Sequence, residues 1–226
     1  MFGFEYYTPT RVIFGKGSEN RVGELVQEYG AQKVLIHYGG QSAVKSGLLD
    51  RVKAALDASG VPHVELGGVV PNPHLSKVRE GIALGKQETV DFILAVGGGS
   101  VIDSSKAIAY GLAEPECDVW ELFCKKRKAK RFLPVASIPT IAAAGSETSN
   151  SCVITNEQTG EKRSYNDNIS RPKFAIMNPE LTMSLPDYQT ESGCTDIMMH
   201  TMERYFTNGG NMELTDALAE GLLRTV

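Results

Sequence analysis

The chain has 226 residues, 42% of them hydrophobic and 22% charged, and its 23 Lys and Arg against 27 Asp and Glu leave a net charge of −4. This is ordinary globular usage with enough apolar mass for one large core or two smaller ones, which excludes disorder and coiled coil. A mildly acidic balance argues against broad binding to nucleic acid or an anionic membrane, since both need a basic surface, and the one basic run, Lys125 to Lys128 with Lys130 and Arg131, reads as a solvated loop or helix end.

In chain order, the aromatic segment Phe2 to Tyr7 suits pairing at a sheet edge and carries neither the basic start nor the apolar run of a signal peptide. Thr10 to Phe14 reads as a short strand stopped by Gly15-Lys16-Gly17, and Ser18 as the cap of a helix running to about Tyr29. Strands are predicted at 33–38, 62–66, 92–96, 134–138 and 174–177. Between them, 45–59 gathers Leu48, Leu49, Val52, Ala55 and Leu56 on one helical face, and 75–86 gathers Leu75, Val78, Ile82 and Leu84. Such alternation is the pattern of an α/β fold with a doubly wound parallel sheet. Residues 155–172 are polar and turn-rich, fitting a hairpin or a mobile loop. After Leu185-Pro186-Asp187 the period is helical to the end, broken at Asn208 to Asn211, so 1–185 is expected to be one α/β domain and 186–226 the beginning of a second, all-helical one. No cap signal follows the run Asp216 to Val226, which reads as a truncated protein. No stretch approaches about 18 apolar residues. The four cysteines, Cys117, Cys124, Cys152 and Cys194, form no Cys-x-x-Cys pair, so a cytoplasmic protein with reduced thiols is expected.

The chemistry concentrates in four places. Gly97-Gly98-Gly99-Ser100 stands between the apolar strand 92–96 and the helical run Val101 to Tyr110. Glycines there let a backbone approach a pyrophosphate, and the free N–H groups of a helix start attract anionic oxygens; the bland reading is a tight turn. The G-x-G-x-x-G fingerprint is not met, because Ile102 occupies the last glycine's place. At the end of strand 33–38, Gly39, Gly40 and Ser42 come without the acidic residue that commonly meets a ribose 2′-OH, leaving room and donors for a 2′-phosphate, or else only a turn. A third turn, Ile138 to Thr148, offers Thr140, Ser146 and Thr148 toward a nicotinamide end or toward a helix cap. Lastly, Asp196 and His200 at i and i+4 lie on one helical face and can converge on a cation or form an ordinary ion pair. Cys194 has no histidine suitably placed and reads as a packed small hydrophobe.

Taken together, these residues resemble the iron-containing alcohol dehydrogenase family, and within it the NADPH-dependent butanol dehydrogenase-like branch. The matches run from Tyr6-Tyr7-Thr8-Pro9 and Phe14-Gly15-Lys16-Gly17 through Tyr38-Gly39-Gly40, Pro71-Asn72-Pro73 and Gly97 to Asp103, then Gly145-Ser146-Glu147, Gly160-Glu161-Lys162, Asn178-Pro179 and Asp196-x-x-x-His200. The resemblance implies a dinucleotide domain over 1–185, the start of a metal domain over 186–226, and an active site between them. It implies Gly97, Gly98, Gly99 and Ser100 at the pyrophosphate, Gly39, Gly40 and Ser42 at the adenosine 2′ position, and Asn72, Asp103, Thr140, Thr148, Lys162 and Leu181 around the ribose, nicotinamide and phosphates. It also implies Asp196 and His200 as the first two ligands of a divalent metal, iron or zinc, with two later histidines completing the family's site. The implied activity is reversible hydride transfer between NADP(H), rather than NAD(H), and a small aldehyde or alcohol such as butanal or butanol, in a homodimer paired through the N-terminal edge. One departure is Ala144, which stands where the family usually has Thr before Gly145-Ser146-Glu147. The alternative is a catalytically incomplete NADP-binding fragment or interaction module. Glycerol dehydrogenase or dehydroquinate synthase relatives fit Pro71-Asn72-Pro73 and the Asp196/His200 pair less well.

Overall fold

The computed structural model describes Gly3 and residues 5–226. Eight strands and eight helices follow the sequence periods: β1 (Arg11–Phe14), α1 (Val22–Glu28), β2 (Val34–Tyr38), α2 (Ser42–Lys45), α3 (Leu48–Ala58), β3 (His63–Leu66), α4 (Leu75–Gln87), β4 (Phe92–Val96) and α5 (Gly99–Ala113) come first. Then come α6 (Trp120–Phe123), β5 (Val135–Ile138), β6 (Ser151–Asn156), β7 (Glu161–Asn166), β8 (Phe174–Met177), α7 (Asp187–Tyr205) and α8 (Glu213–Thr225). Six strands form one parallel sheet in the order β1-β8-β5-β4-β2-β3, and β6 and β7 form a separate antiparallel pair. The doubly wound α/β expectation is met.

The middle of the sheet explains why its strands read as unbroken apolar runs. All five residues of β4 are buried, Phe92, Leu94 and Val96 against the helices α1 and α3, Ile93 against α4 and α5 on the opposite face. A parallel strand covered on both faces has no polar side to alternate with. Truncating Phe92 to Ala would cost about 3–5 kcal/mol through lost transfer energy and the cavity left behind.

Two local expectations fail for identifiable reasons. The helix expected over 45–59 is two pieces, because Gly47 adopts φ 69° between α2 and α3 and resets the chain direction. Ser18 does not cap a helix: it lies inside a 3-10 turn (Ser18–Arg21), its hydroxyl buried without a partner, while Gly17 holds the N-cap place at φ 69°. The 155–172 segment takes the hairpin option. Cys152 and Ile154 of β6 and Tyr165 of β7 turn inward against α5, and the Tyr165 hydroxyl accepts from the Ala129 amide at 2.8 Å. Helix α5 is thereby covered by the sheet on one side and the hairpin on the other. Of the aromatic edge expected at Phe2 to Tyr7, Phe2 and Phe4 lie outside the described residues, and Tyr6 and Tyr7 are exposed without strand structure. The edge strand is β1, which pairs only with β8 among the described strands.

After Pro186 the chain is helical, as expected. Helices α7 and α8 pack on one another, and Gly193 of α7 lies directly against the Ala142 carbonyl of the loop after β5. Leu214, Leu218 and Leu222 of α8 are exposed by 65%, 67% and 45%.

Candidate cofactor cleft and metal pair

The strand order changes direction at β2: the chain leaves β2 toward β3 by way of α3 on one face, and leaves β4 toward β5 by way of α5 on the other. In an open α/β sheet the crevice at such a switch, outside the carboxyl ends of the strands, is where ligands bind. The two glycine turns of the sequence meet there. A cleft of about 540 Å³ is lined by Ser42 after β2, by Gly98, Gly99 and Ser100 after β4, by Thr140, Ile141 and Ala143 to Glu147 after β5, and by Asp196 from α7. The ends of β4 and β5 are tied across it, with the Gly97 amide donating to Ile138 at 3.1 Å and the Thr140 amide to Gly97 at 3.3 Å.

Gly97 and Gly98 are glycines because of the protein itself. A Cβ on Gly97, whose φ is 154°, would stand 2.6 Å from Val101 Cγ2, and one on Gly98 would stand 2.8 Å from Ile141 Cγ2. Gly99 is different, since its Cβ would meet nothing nearer than Ser146 Cβ at 4.0 Å. Helix α5 begins at Gly99, and the amides of Gly99 and Ser100 have no acceptor among the described residues. Open amides at the start of a 15-residue helix, under its positive dipole end, constitute an anion cradle.

Two recesses extend the cleft. One of about 340 Å³ shares Ser42, Thr140, Leu185 and Pro186 with it and contains Leu181. The other, of about 400 Å³, shares Ala143, Ala144 and Gly145 and contains His200. Asn72, at φ 57°, and Lys162 lie outside the cleft lining and bond to each other, Lys162 Nζ donating to Asn72 Oδ1 at 2.7 Å. Thr148 closes a turn onto Gly145, and its carbonyl accepts from Arg171 at 2.6 Å. Gly39 and Gly40 precede the cleft residue Ser42, and the Gly39 carbonyl accepts from the Gly68 amide at 2.8 Å.

Asp103 lies on α5 next to the cleft residues Ile102 and Ser146. It is committed within the protein, Oδ1 accepting from the Ser146 hydroxyl at 2.5 Å and Oδ2 from the Val153 amide at 3.0 Å. Burial raises its pKa, opposed by the Ser146 bond and the charge of Lys106. One turn further along α5, Lys106 is 0% exposed and its Nζ donates to the carbonyls of Ser146, Ser149 and Ser151, each at 2.8 Å. Burial lowers its pKa, yet three acceptors call for three N–H donors, which only the ammonium supplies. His37 at the end of β2 is also fully buried: Nδ1 donates to the Leu66 carbonyl at 2.8 Å, so Nε2 accepts from the Ser104 hydroxyl at 2.9 Å. Desolvation brings its pKa down to about 4, which keeps the ring neutral. Neither Lys106 nor His37 stands out by local pattern. The one available signal is that the run Val101 to Gly111 has no wide polar face, so a lysine inside it has to be buried with the helix.

Asp196 Oδ1 and His200 Nε2 are 3.7 Å apart on α7, each a little over two-fifths exposed, and Glu203 Oε2 stands 3.7 Å from His200 Nδ1. A carboxylate and an imidazole at this separation are suitable donors for one divalent cation. Among the described residues no group of three or more His, Cys, Asp or Glu forms a metal cage. The residues present thus fit one edge of a coordination sphere.

Comparison with known proteins places the fold among its relatives. A profile described as iron-containing alcohol dehydrogenase matches residues 9–179. The probable NADH-dependent butanol dehydrogenase 2 of Bacillus subtilis is 44% identical over 226 residues, the whole of this chain and 57% of that protein. The NADPH-dependent aldehyde reductase YqhD of Escherichia coli is 37% identical, matching all of this chain and 58% of that protein. The crystal structure of NADH-dependent butanol dehydrogenase A from Thermotoga maritima superposes with a TM-score of 0.95 at 41% identity, over 99% of this chain and 56% of that one. The chain therefore spans somewhat over half the length of the relatives it matches.

Proposed function

This chain belongs to the iron-containing alcohol dehydrogenase family, and we propose from that premise that it carries the nicotinamide-dinucleotide site and part of the metal site of an enzyme interconverting a short-chain aldehyde and its alcohol. The observation that supports this best is the convergence on one cleft of Ser42, the open amides at Gly99 and Ser100, and Asp196. Residues 1–185 form the dinucleotide domain in this reading, and 186–226 belong to the metal domain. Bound there, a nicotinamide dinucleotide supplies the hydride and a divalent metal, iron or zinc, the Lewis acidity toward a substrate oxygen.

The protein's own part is to bind and to orient. The start of α5 holds the pyrophosphate through backbone amides, which fixes the dinucleotide between the Leu181 recess and the His200 recess. Gly39, Gly40 and Ser42 take the adenosine 2′ side. That segment contains no carboxylate to repel a 2′-phosphate, so NADP(H) is favoured over NAD(H), although the relatives divide between the two by name. Lys162 and Asn72, already bonded to each other, stand as a pair to receive ribose or phosphate oxygens. Thr140 and Thr148 contribute on the nicotinamide side, and Asp196 and His200 hold the metal. A homodimer through the β1 edge and a cytoplasmic location complete the proposal; among the described residues no helix is long and apolar enough to cross a membrane.

The test is a calorimetric titration of the chain with NADPH and NADH, alongside NADPH oxidation with butanal and added Fe²⁺ or Zn²⁺. Binding of NADPH in preference to NADH supports the reading, binding without turnover identifies the incomplete fragment, and no binding of either nucleotide overturns the dinucleotide assignment.

A further inference from the structure

Ala143 to Glu147 line the cleft, yet the chain has no strand or helix of its own from there until β6 starts at Ser151. Two side chains from one face of α5 hold it. Lys106 Nζ gathers the carbonyls of Ser146, Ser149 and Ser151, all at 2.8 Å, and Asp103 takes the Ser146 hydroxyl at 2.5 Å and the Val153 amide at 3.0 Å. The same helix begins with the open amides of Gly99 and Ser100, and Gly99 stands beside this segment, a Cβ on it coming within 4.0 Å of Ser146 Cβ. The width of the cleft between anion cradle and loop is therefore set by bonds running from one helix to the segment facing its first turn.

We propose that Lys106, assisted by Asp103 and Ser146, is a positioning residue for dinucleotide binding: it touches no ligand, but fixes the Gly145–Glu147 wall at the distance from the α5 amides that a bound dinucleotide requires. This rests on the cleft being the dinucleotide site. The ammonium suits the task because three donors on one atom draw three separate carbonyls of an irregular segment to a point, which a neutral side chain cannot do. Asp103, by this account, acts on the cofactor through Ser146 and the wall.

The experiment compares the 226-residue protein with Lys106→Met, which keeps the length of the stem and removes all three donors, and with Ser146→Ala, a milder change confined to the Asp103 bond. Calorimetry gives the NADPH dissociation constant, and hydrogen exchange gives amide protection over 143–151 and over β4. Lys106→Met is expected to weaken NADPH about tenfold, with faster exchange at 145–150 and unchanged protection in β4, and Ser146→Ala to weaken it about threefold. The double variant is expected to bind no worse than Lys106→Met alone, because both act through the same wall. A purely structural lysine would lower Tm and leave the dissociation constant alone. NADPH binding within 1.5-fold of wild type in folded Lys106→Met, or in Ser146→Ala should the first not fold, overturns the proposal. Failure of the wild-type chain itself to bind NADPH overturns instead the dinucleotide reading on which it rests.

Discussion

Replacing Gly99 with Ala separates the fold from the site. The position has room, since the added methyl meets only Ser146 Cβ at 4.0 Å, and it is the first residue of α5. Exchanging Gly for Ala in a helix stabilises by about 0.5–1 kcal/mol, mainly by restricting the unfolded chain, with the lower end expected in a first turn. The same methyl is added at a residue whose own amide, with that of Ser100, a phosphate oxygen has to reach within about 3 Å. Displacing the ligand by a methyl's width or compressing the contact costs about 1–3 kcal/mol, roughly a tenfold to hundredfold rise in the dissociation constant. Urea unfolding and NADPH calorimetry on the same preparation measure both effects. Gly97→Ala provides the contrast: with φ at 154° and Val101 Cγ2 at 2.6 Å, strain and overpacking together predict a stability loss of about 2–4 kcal/mol. A Gly99→Ala protein that is as stable as wild type or more so, and binds NADPH equally well, would refute the anion-cradle reasoning.

Further expectations concern the buried histidine, the ribose end, the metal pair and the surface. His37 has a folded pKa near 4 against 6.5 unfolded, so as pH falls the unfolded chain takes up the proton first; the contribution is complete above about pH 6.5 and lost toward pH 4, amounting to about 3 kcal/mol. His37→Gln should flatten the dependence of unfolding free energy on pH across that window, and identical slopes for the two proteins would dismiss this origin. Ser42→Asp should weaken NADPH at least about tenfold while changing NADH less than about twofold, with equal losses for both nucleotides counting against the 2′-phosphate assignment. Titration with Co²⁺, followed by its visible absorption, should show binding that Asp196→Asn and His200→Ala each abolish; retention in His200→Ala would exclude the pair as ligands. Leu214, Leu218 and Leu222 should make the chain bind a hydrophobic dye, and their joint replacement by Gln should remove at least half of that signal.

How much of this was visible in the sequence follows from how local each cause is. Strand β4 was legible to the residue because its apolar run is bounded by Asp91 and Gly97, and the turn after it was legible because the demand for glycine at 97 comes from Val101, four residues on. The start of α3 was misjudged because the hydrophobic spacing continues through Gly47, where only the backbone angle marks a break. Ser18 had the right type and position for a cap but the turn before it tightened into 3-10 geometry. The internal partners of Asp103, Ser146 and Val153, lie 43 and 50 residues away, where no local pattern marks them. Lys106 was passed over for the same reason: its carbonyl partners are 40 to 45 residues downstream and irregular, so no periodicity points to them.

The placing of β8 between β1 and β5 has a bearing on how the molecule is made. Strand β1 is synthesised ahead of its partner in the sheet, which starts at Phe174, about 160 residues later. Strands β2, β3 and β4 find all their neighbours among β2 to β5 and can assemble while synthesis continues. Strand β1 waits for that intervening segment, and a contact between residues so far apart in sequence forms later than the local ones. During that interval Val12, Ile13 and Phe14 form an unpaired apolar edge, so a nascent chain stalled before Phe174 should be a client for chaperones that recognise short extended hydrophobic segments.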